Sequence, residues 1–174
     1  MLRGEHIYLR PVREVDLPAL IARVNDIAYL TEFNFFGLQQ TNLEKSFEED
    51  GLLGPEHGTL VVVTVDGDQV VGDVGYRQVR YGPGSASVAY NIGITIAPEQ
   101  RGKGYGVEAQ KLLAEYLFTV YPIMRVEAMT DVTNSAELRA LEKAGYTREG
   151  VVRKAQWRTG NWHDMVLFSK LRGE

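Results

Sequence analysis

The sequence predicts a mixed α/β fold, in which one sheet contains both antiparallel and parallel strand pairs and helices pack against it. Three apolar runs between residues 59 and 96 are joined by tight-turn signals, a pattern typical of an antiparallel meander. A helix then separates the third strand from a fourth, and such a crossover implies that these two strands are parallel neighbours. Two further strands are expected over residues 147–158 and 162–170.

The N-terminal part is predicted to contribute a short strand and two helices. Residues 7–10 form the strand, which Pro11 ends because proline cannot donate to the ladder. Asp16 precedes an apolar pattern of helical spacing and is a suitable N-cap, with Pro18 tolerated in the first turn. A second short helix is expected near residues 42–50.

Two turn signals divide the meander into its three strands. Asp66-Gly67 follows the β-branched run 59–65 and predicts a tight hairpin turn into a strand over 69–79. Tyr81-Gly82-Pro83-Gly84 then turns the chain into a strand over 87–96.

The helix after the meander is strongly amphipathic. From residue 107 its apolar residues recur at i, i+3, i+4, i+7, i+8 and i+11, which is one helical face. These residues are Ala109, Leu112, Leu113, Tyr116, Leu117 and Val120. Pro122 ends the helix, and a strand over 124–129 is followed by a helix that Asn134 caps and that stops before Gly145.

Composition indicates one ordinary globular domain over residues 1–174. Apolar residues make up 44% and charged residues 24% of the chain, values typical of soluble proteins. The absence of cysteine excludes disulfides, thiolate metal sites and a cysteine nucleophile, and we expect no metal. The net charge of −4 argues against nucleic-acid binding. Because no apolar run reaches membrane-spanning length, we expect a cytoplasmic protein that does not bind a membrane.

The most informative segment is Arg-Gly-Lys-Gly-Tyr-Gly at residues 101–106, between the third meander strand and the amphipathic helix. Its three glycines leave the backbone N–H groups uncovered, because glycine has no Cβ. At a helix N-terminus such amides have no intrahelical partner and the helix dipole is positive. Arg101 and Lys103 add two positive charges. The segment is therefore predicted to bind a phosphate or pyrophosphate.

Three other interpretations of this segment are weaker. No Gly-x-x-x-x-Gly-Lys-Ser/Thr stretch exists, which excludes a P-loop. A dinucleotide-binding fold requires Gly-x-Gly-x-x-Gly, and although Glu127 lies at a suitable distance to bind a ribose, too few elements follow for a doubly wound sheet. A plain strand-to-helix turn needs only one glycine, and clustered glycine costs entropy on folding.

The segment resembles the signature of a known family. Arg101-x-x-Gly104-x-Gly106 matches the Arg/Gln-x-x-Gly-x-Gly/Ala motif of the GNAT N-acetyltransferase superfamily. Residues 94–99, Asn134 and residues 142–146 are similar too, so the resemblance runs over essentially the whole chain. The opening Leu9-Arg10-Pro11 with Asp16-Leu17 looks like the RimJ/RimL-type branch, whose members acetylate protein N-termini and, in relatives, small amines.

This resemblance implies a mostly antiparallel central sheet of about seven strands, with a splayed parallel pair and helices on both faces. It also implies an acetyl-CoA-dependent N-acetyltransferase, in which the acceptor amine attacks the thioester directly in a ternary complex. The acceptor is then a protein or peptide N-terminus or a small-molecule amine, and the chain is a monomer or a homodimer. The alternative is a non-catalytic acyl-CoA-binding protein of the same fold.

By the same resemblance, the glycine-rich segment holds the pyrophosphate of acetyl-CoA. The residues expected there are Arg101, Gly102, Lys103, Gly104, Tyr105 and Gly106, with N–H donors from all of them except Lys103. The pantetheine arm lies along Ile94, Thr95 and Ile96, and Ile96 or its neighbour supplies the N–H that polarises the thioester carbonyl.

Asn134 and its helix have two interpretations. Asn134 bonds the pantetheine amide or the product, or it only caps its helix in a capping box with Glu137. Arg139 and Lys143 either reach the CoA phosphates or face water.

The catalytic positions of the family are altered in this chain. Asn91 stands where many members of the branch have a glutamate on the strand, and an amide cannot act as a base. Glu137 replaces the serine that is thought to protonate the thiolate, and Leu141 replaces the tyrosine that other branches use.

Three residues are candidates for the missing acid or base, each with a structural alternative. Glu137 acts as the acid or base if burial raises its pKa, or else it only belongs to the capping box. Tyr90 directs its hydroxyl towards the thiolate, or lies in the core. His163 acts as a base on the last strand, whereas the neighbouring Asp164 is expected to be hydrogen-bonded and structural.

The acceptor amine is expected to meet residues 28–57 and the turn at 80–86, which flank the acceptor channel in relatives. Glu32, Phe33 and Phe35 combine an acid with aromatic faces suited to a cationic amine, or they only pack against the sheet. Asn91 is expected beside the same site.

Overall fold

In a computed structural model, which describes residues 2–84 and 87–174, the chain forms an eight-stranded sheet. The strands are β1 (Leu2–Arg3), β2 (Ile7–Pro11), β3 (His57–Thr64), β4 (Val70–Arg80), β5 (Val88–Ile96), β6 (Arg125–Asp131), β7 (Thr147–Arg158) and β8 (Asn161–Leu171). Their spatial order is β1-β2-β3-β4-β5-β6-β8-β7. β5 and β6 are parallel, and the other neighbouring pairs are antiparallel. The predicted fold class is confirmed, with the two-residue β1 as the additional strand.

The described residues also form five α-helices. They are α1 (Leu17–Arg23), α2 (Ile27–Asn34), α3 (Leu43–Asp50), α4 (Tyr105–Val120) and α5 (Ser135–Lys143). Single 3-10 turns precede α1 and α4, at Glu14–Asp16 and Pro98–Gln100. Over residues 2–84 and 87–174, none of the helices combines the length and the hydropathy needed to cross a membrane.

Different helices cover the two faces of the sheet. Because side chains alternate along a strand, Leu60 and Val62 of β3 belong to the core cluster that includes residues of α4 and α5, whereas Val61 and Val63 belong to a second cluster that includes residues of α1. All four side chains are buried. The uninterrupted apolar run of β3 therefore reflects burial on both faces.

The apolar face of α4 lies against the sheet as its spacing predicts. Ala109, Leu113 and Leu117 are fully buried. Val120, which the pattern places on the same face, is half exposed because α4 ends there. Gln110 is buried among these residues, although its polarity predicts exposure.

Asp16 has a different role from the predicted N-cap. Its carboxylate accepts two hydrogen bonds of 2.7 and 2.9 Å from the Arg10 guanidinium and a third of 2.8 Å from the Arg13 N–H. Arg10 is buried, and a buried cation requires a charged partner. The ion pair therefore takes precedence over capping of α1.

The parallel strands β5 and β6 separate after a short pairing. Tyr90, Asn91 and Ile92 are opposite Val126, Glu127 and Ala128, and no further register pairs join the two strands within the described residues. Beyond this point β5 stays paired with β4 as far as Ile96, and β6 stays paired with β8 as far as Asp131. The facing edges therefore diverge into a gap, and the chain leaves β5 at this gap to enter α4.

Candidate active site

The glycine-rich segment runs from the end of the 3-10 turn into the first two residues of α4, Tyr105 and Gly106. Gly102 and Gly104 have φ values of +78° and +85°, a backbone region that residues with a side chain rarely adopt. A Cβ built at either residue would have no neighbouring atom within 4 Å. Glycine is therefore required by the backbone here, and the side where a Cβ would stand is open to a ligand.

The backbone amides of this segment are largely free. Those of residues 102–107 make no hydrogen bond to any atom in the part of the chain that the structure describes, and the first intrahelical bond of α4 runs from the Glu108 N–H to the Gly104 carbonyl at 3.2 Å. Arg101 departs from the expected donor set, because its N–H donates to the Pro98 carbonyl within the 3-10 turn at 3.3 Å. Free amides at a helix N-terminus form an anion site.

The two basic side chains of the segment bind protein atoms. The Arg101 guanidinium donates to the Ile96 carbonyl at 2.9 Å and to the Tyr29 carbonyl at 2.5 Å. The Lys103 ammonium donates to the Gln100 side chain at 2.7 Å. Arg101 therefore joins the segment to β5 and to α2, and Lys103 does not line the adjacent cleft.

A cleft of about 470 Å³ opens beside these amides. The predicted residues that line it are Ile94, Thr95, Ile96, Arg101, Gly102, Gly104, Tyr105, Gly106, Asn134, Glu137 and Phe33. Arg139 and Lys143 of α5, which are exposed, line it as well and bring two positive charges to its rim. Free amides, two cations and an open strand edge are the groups that a diphosphate on a flexible amide-containing arm would use, and the residues present fit coenzyme A.

The free edge of β5 has a defined polarity. The Ala97 N–H donates to the Val71 carbonyl on the β4 side, so by antiparallel alternation the polar groups of Ile94 and Ile96 point away from β4. The Ile96 carbonyl is bound by Arg101. The Ile96 N–H therefore points into the gap between β5 and β6.

Asn134 caps α5, and the capping box is only half formed. The Asn134 side-chain oxygen accepts from the Glu137 N–H at 3.3 Å. The Asn134 N–H donates to the Asp131 carbonyl at 3.0 Å rather than to Glu137. The Glu137 carboxyl is half-buried and lines the cleft, and burial raises the pKa of Glu137 to about 7.

Tyr90 does not reach the cleft. Its ring lies in the core in a T-shaped contact with Tyr76, with centroids 5.4 Å apart, and its hydroxyl donates to the Pro55 carbonyl at 2.5 Å. The structure therefore places Tyr90 in the hydrophobic core, the alternative to a catalytic role.

His163 is held on the opposite side of the gap from the glycine-rich segment. Its Nδ1 lies 2.9 Å from the Asp131 carboxylate, and its Nε2 lies 3.3 Å from the Arg158 carbonyl. Both ring nitrogens face oxygen atoms of the protein, and His163 is not among the residues that line the cleft. Asp164 accepts from the Lys154 N–H at 2.8 Å, the structural role expected for it.

The residues expected to meet the acceptor are only partly brought together. Phe33 lines the cleft, whereas Glu32 is exposed and Phe35 is half-buried at the end of α2. Asn91 is half-buried on β5, in register with Arg77 and Glu127 and away from the cleft lining. In the turn at 80–86, residues 85 and 86 lie outside the described residues.

Four further residues at or near the site, Thr31, Asp131, Arg158 and Asp73, belong to no sequence motif. Thr31 lines the cleft with a positive φ of 63°. Asp131 and Arg158 form a buried ion pair at the end of the gap. Burial raises the pKa of Asp73 on β4 to about 6, with Arg23 3.9 Å away. For Asp73, the sequence signal that could have marked it was a single charged residue within an otherwise apolar strand.

Comparison with known proteins identifies the family. The sequence model described as the acetyltransferase (GNAT) domain matches residues 6–147. The chain belongs to the GNAT acetyltransferase family. The glycine-rich segment, the gap between β5 and β6 and the cleft therefore belong to a GNAT acetyltransferase, and the protein is an enzyme.

Individual GNAT relatives extend over the full length of the chain. The probable N-acetyltransferase YjcK of Bacillus subtilis (strain 168) is 26% identical over 178 residues, which cover 98% of this chain and 97% of YjcK. The structure is similar to that of spermidine N-acetyltransferase from Vibrio cholerae in complex with CoA and spermine, with a TM-score of 0.80, 20% identity and 95% of each chain covered. It is also similar to an acetyl transferase from Salmonella typhimurium that modifies the N-terminal serine of ribosomal protein L7/L12, with a TM-score of 0.77, 19% identity and coverage of 97% and 96%. These structural likenesses concern the fold.

Proposed function

We propose that this GNAT acetyltransferase transfers the acetyl group of acetyl-CoA to a primary amine, by direct attack of the amine on the thioester in a ternary complex. The observation that carries the proposal is the row of free amides at residues 102–107, which opens into the gap between β5 and β6. Acetyl-CoA supplies an activated acyl carbonyl and a thiolate leaving group. The chain has no cysteine, which favours direct attack over an acyl-cysteine intermediate.

The glycine-rich segment and α5 bind the two ends of the coenzyme's charged portion. The amides of Gly102, Gly104, Tyr105 and Gly106 donate to the pyrophosphate, and the helix dipole of α4 adds to this attraction. Arg139 and Lys143 face the same cleft and attract the remaining phosphate.

The free edge of β5 orients the acyl group. The pantetheine arm pairs with residues 94–96 as an added strand. The Ile96 N–H points into the gap, where it donates to the acyl oxygen as negative charge develops on it. The side-chain NH₂ group of Asn134 donates to the pantetheine arm, since the side-chain oxygen already accepts the capping hydrogen bond of α5.

Glu137 is the proposed proton donor to the departing thiolate. When the amine attacks, an N–C bond forms and the C–S bond breaks, so the thiolate gains a proton and the amine loses one. Glu137 lines the cleft, and a pKa of about 7 allows it to be protonated at neutral pH. Water is the acceptor of the amine's proton in this scheme. Tyr90 and His163 take no part in this reaction, because their polar atoms are bound elsewhere.

The acceptor is proposed to be a protein N-terminus or a small polyamine, as in the RimJ/RimL-type branch. The Salmonella and Vibrio enzymes of the same fold act on a ribosomal protein and a polyamine respectively. The segment that carries the branch resemblance, Arg10 with Asp16, is a buried ion pair in this chain. The sequence of this segment supports membership of the branch. Because Arg10 and Asp16 do not line the cleft, the acceptor is proposed to contact residues of α2 instead.

The test is thiol release from acetyl-CoA with a panel of acceptors. The panel contains spermidine, spermine and peptides that begin with serine, alanine or methionine. We expect turnover with at least one acceptor and acetylation of its primary amine by mass spectrometry. Tight CoA binding without turnover on any amine would instead support a non-catalytic acyl-CoA-binding protein. Greater thermal stabilisation by ATP or NAD than by CoA would contradict the coenzyme assignment.

A further inference from the structure

α2 is interrupted at Thr31, on the wall of the cleft. The φ and ψ values of Thr31 are 63° and 176°, inside a helix whose other residues are helical. This backbone region is almost restricted to glycine, and a β-branched residue there is an outlier. Leu30, Phe33 and Asn34 line the cleft together with Thr31. The interruption therefore sets the shape of this wall.

Two arginines bind the carbonyls on either side of Thr31. The Arg101 guanidinium donates to the Tyr29 carbonyl at 2.5 Å, and the Arg158 guanidinium donates to the Glu32 carbonyl. The Arg158 guanidinium also lies over the Phe33 ring, 5.9 Å from its centroid. A strained conformation persists only where its surroundings fix it, and these contacts fix both ends of the kink.

Arg158 is held in turn by Asp131, at the point where β6 ends beside the gap. The side chains of Arg158 and Asp131 are 1% and 2% exposed. Asp131 also accepts from the Thr133 N–H at 2.8 Å and from the Thr133 hydroxyl at 2.6 Å, and it faces His163 Nδ1 at 2.9 Å. A buried ion pair adds little net stability, because desolvation offsets the attraction. Its evident effect here is to fix the direction of the guanidinium.

We propose that Arg158 is a positioning residue for the acceptor amine: anchored by Asp131, it holds residues 30–34 in the kinked form that shapes the acceptor side of the cleft. This inference rests on the proposed function for the identity of the second substrate. The coenzyme is proposed to bind the amides of residues 102–107, and the hydrogen bonds of the Arg158 side chain go to Glu32 and Asp131 instead. Loss of Arg158 should therefore weaken use of the acceptor and leave CoA binding intact.

The first arm of the test measures hydrogen exchange of the backbone amides in the CoA-bound protein. In Arg158→Gln we expect exchange over residues 30–34 to rise by roughly tenfold, with α4 and β5 unchanged. The matched control is Arg172→Gln, because the Arg172 guanidinium likewise donates to main-chain carbonyls, those of Ile123 and Tyr121, but beyond the end of α4 that is far from the cleft. Unchanged protection of residues 30–34 in folded Arg158→Gln would overturn the proposal.

The second arm measures kinetics with an acceptor that the panel identifies. In Arg158→Gln we expect the acceptor KM to rise by about tenfold and the Kd for CoA to stay within about twofold, and Arg158→Lys should lie between. Glycine at residue 31 adopts the kink without strain. Adding Thr31→Gly to Arg158→Gln should therefore lower the acceptor KM most of the way back to the wild-type value.

The outcomes separate the inference from the function on which it rests. A parallel loss of CoA affinity, or no recovery with Thr31→Gly, would overturn the positioning role. If Arg158→Gln does not fold, Arg158→Lys, which keeps the buried charge, is measured in both arms and decides by the same criteria. If no amine is turned over, the proposed function fails, while hydrogen exchange still decides whether Arg158 holds the kink.

Discussion

At Gly104, one residue combines a backbone requirement with a binding requirement. Its φ of +85° favours glycine, and the space where a Cβ would stand is open. Gly106 differs, since a Cβ there would lie 3.7 Å from Ile94 Cδ1, an ordinary contact, which agrees with a motif that accepts glycine or alanine at this position. The two glycines are thus distinguishable by substitution.

Gly104→Val is expected to weaken CoA binding by about a hundredfold, because the side chain occupies the space of the pyrophosphate and strains the turn that presents the amides. Gly67→Val is the matched control: Gly67 has a φ of +82° and equally open surroundings, but lies in the turn after β3. Both variants should lose similar thermal stability, and only Gly104→Val should lose CoA affinity by calorimetric titration. Equal CoA affinity in the two variants would count against the coenzyme site.

Glu137 is the second residue whose environment predicts a measurable property. Burial raises the pKa of Glu137 to about 7, well above its ordinary value of 4.5. A carboxyl whose pKa is raised by folding stabilises the protein below the unfolded pKa, and this contribution is lost as the pH rises through the folded pKa.

Glu137→Gln should therefore raise the melting temperature by roughly 5–10 °C at pH 8.5 and leave it nearly unchanged at pH 4, below the unfolded pKa. As the proposed acid, Glu137 should also make kcat of the wild type fall above about pH 7, a limb that Glu137→Gln abolishes together with most of the rate. The melting curves and the pH–kcat profile are measured on the same preparations. A kcat that is unaffected by Glu137→Gln would exclude the acid role and leave the stability result standing.

At the scale of elements, α5 begins at a residue with two tasks. The Asn134 oxygen caps the helix, and its NH₂ group is proposed to meet the pantetheine arm. Aspartate at this position keeps the oxygen and removes the NH₂ donor, whereas alanine removes both.

We expect Asn134→Asp to retain thermal stability and to weaken CoA binding by about tenfold, and Asn134→Ala to lose about 1 kcal/mol of stability as well. Thermal unfolding and CoA titration of both variants separate the two tasks. If Asn134→Asp binds CoA as the wild type does, Asn134 acts only as a cap.

The elements were predictable where the signal is local. The strands from β3 to β8 and helices α4 and α5 follow from hydrophobic period and turn residues, and the anion site follows from three glycines next to a helix start. The kink at Thr31 was not predictable, because the atoms that fix it come from Arg101, 72 positions away from Tyr29, and from Arg158, 126 positions away from Glu32. No local pattern reports such partners.

At the scale of the whole molecule, the chain uses buried ion pairs to join separate secondary-structure elements. Asp131 and Arg158 join β6 to β7 beside the gap, and Arg10 and Asp16 join β2 to the turn that starts the α1 layer. Sequence alone placed Asp16 as a helix cap, because the pairing depends on Arg10 being buried by the completed sheet. Both pairs became visible only in the assembled fold.

The Arg10–Asp16 pair gives a test of stability that is independent of the chemistry. Asp16→Asn leaves a buried guanidinium without a counter-charge and should cost roughly 3 kcal/mol, whereas Arg10→Met/Asp16→Leu removes both charges and should cost less than either single change. The Arg10 hydrogen bonds lower the pKa of Asp16, so this stabilisation is present above the unfolded pKa and is lost as the pH falls through the folded value. Urea unfolding should therefore show the wild type and Asp16→Asn converging below about pH 4 and separated at pH 7. A constant difference across this pH range would show that Asp16 stabilises the fold by contacts other than its charge. As a control, CoA affinity should be unchanged in every variant, because Arg10 and Asp16 lie outside the cleft lining.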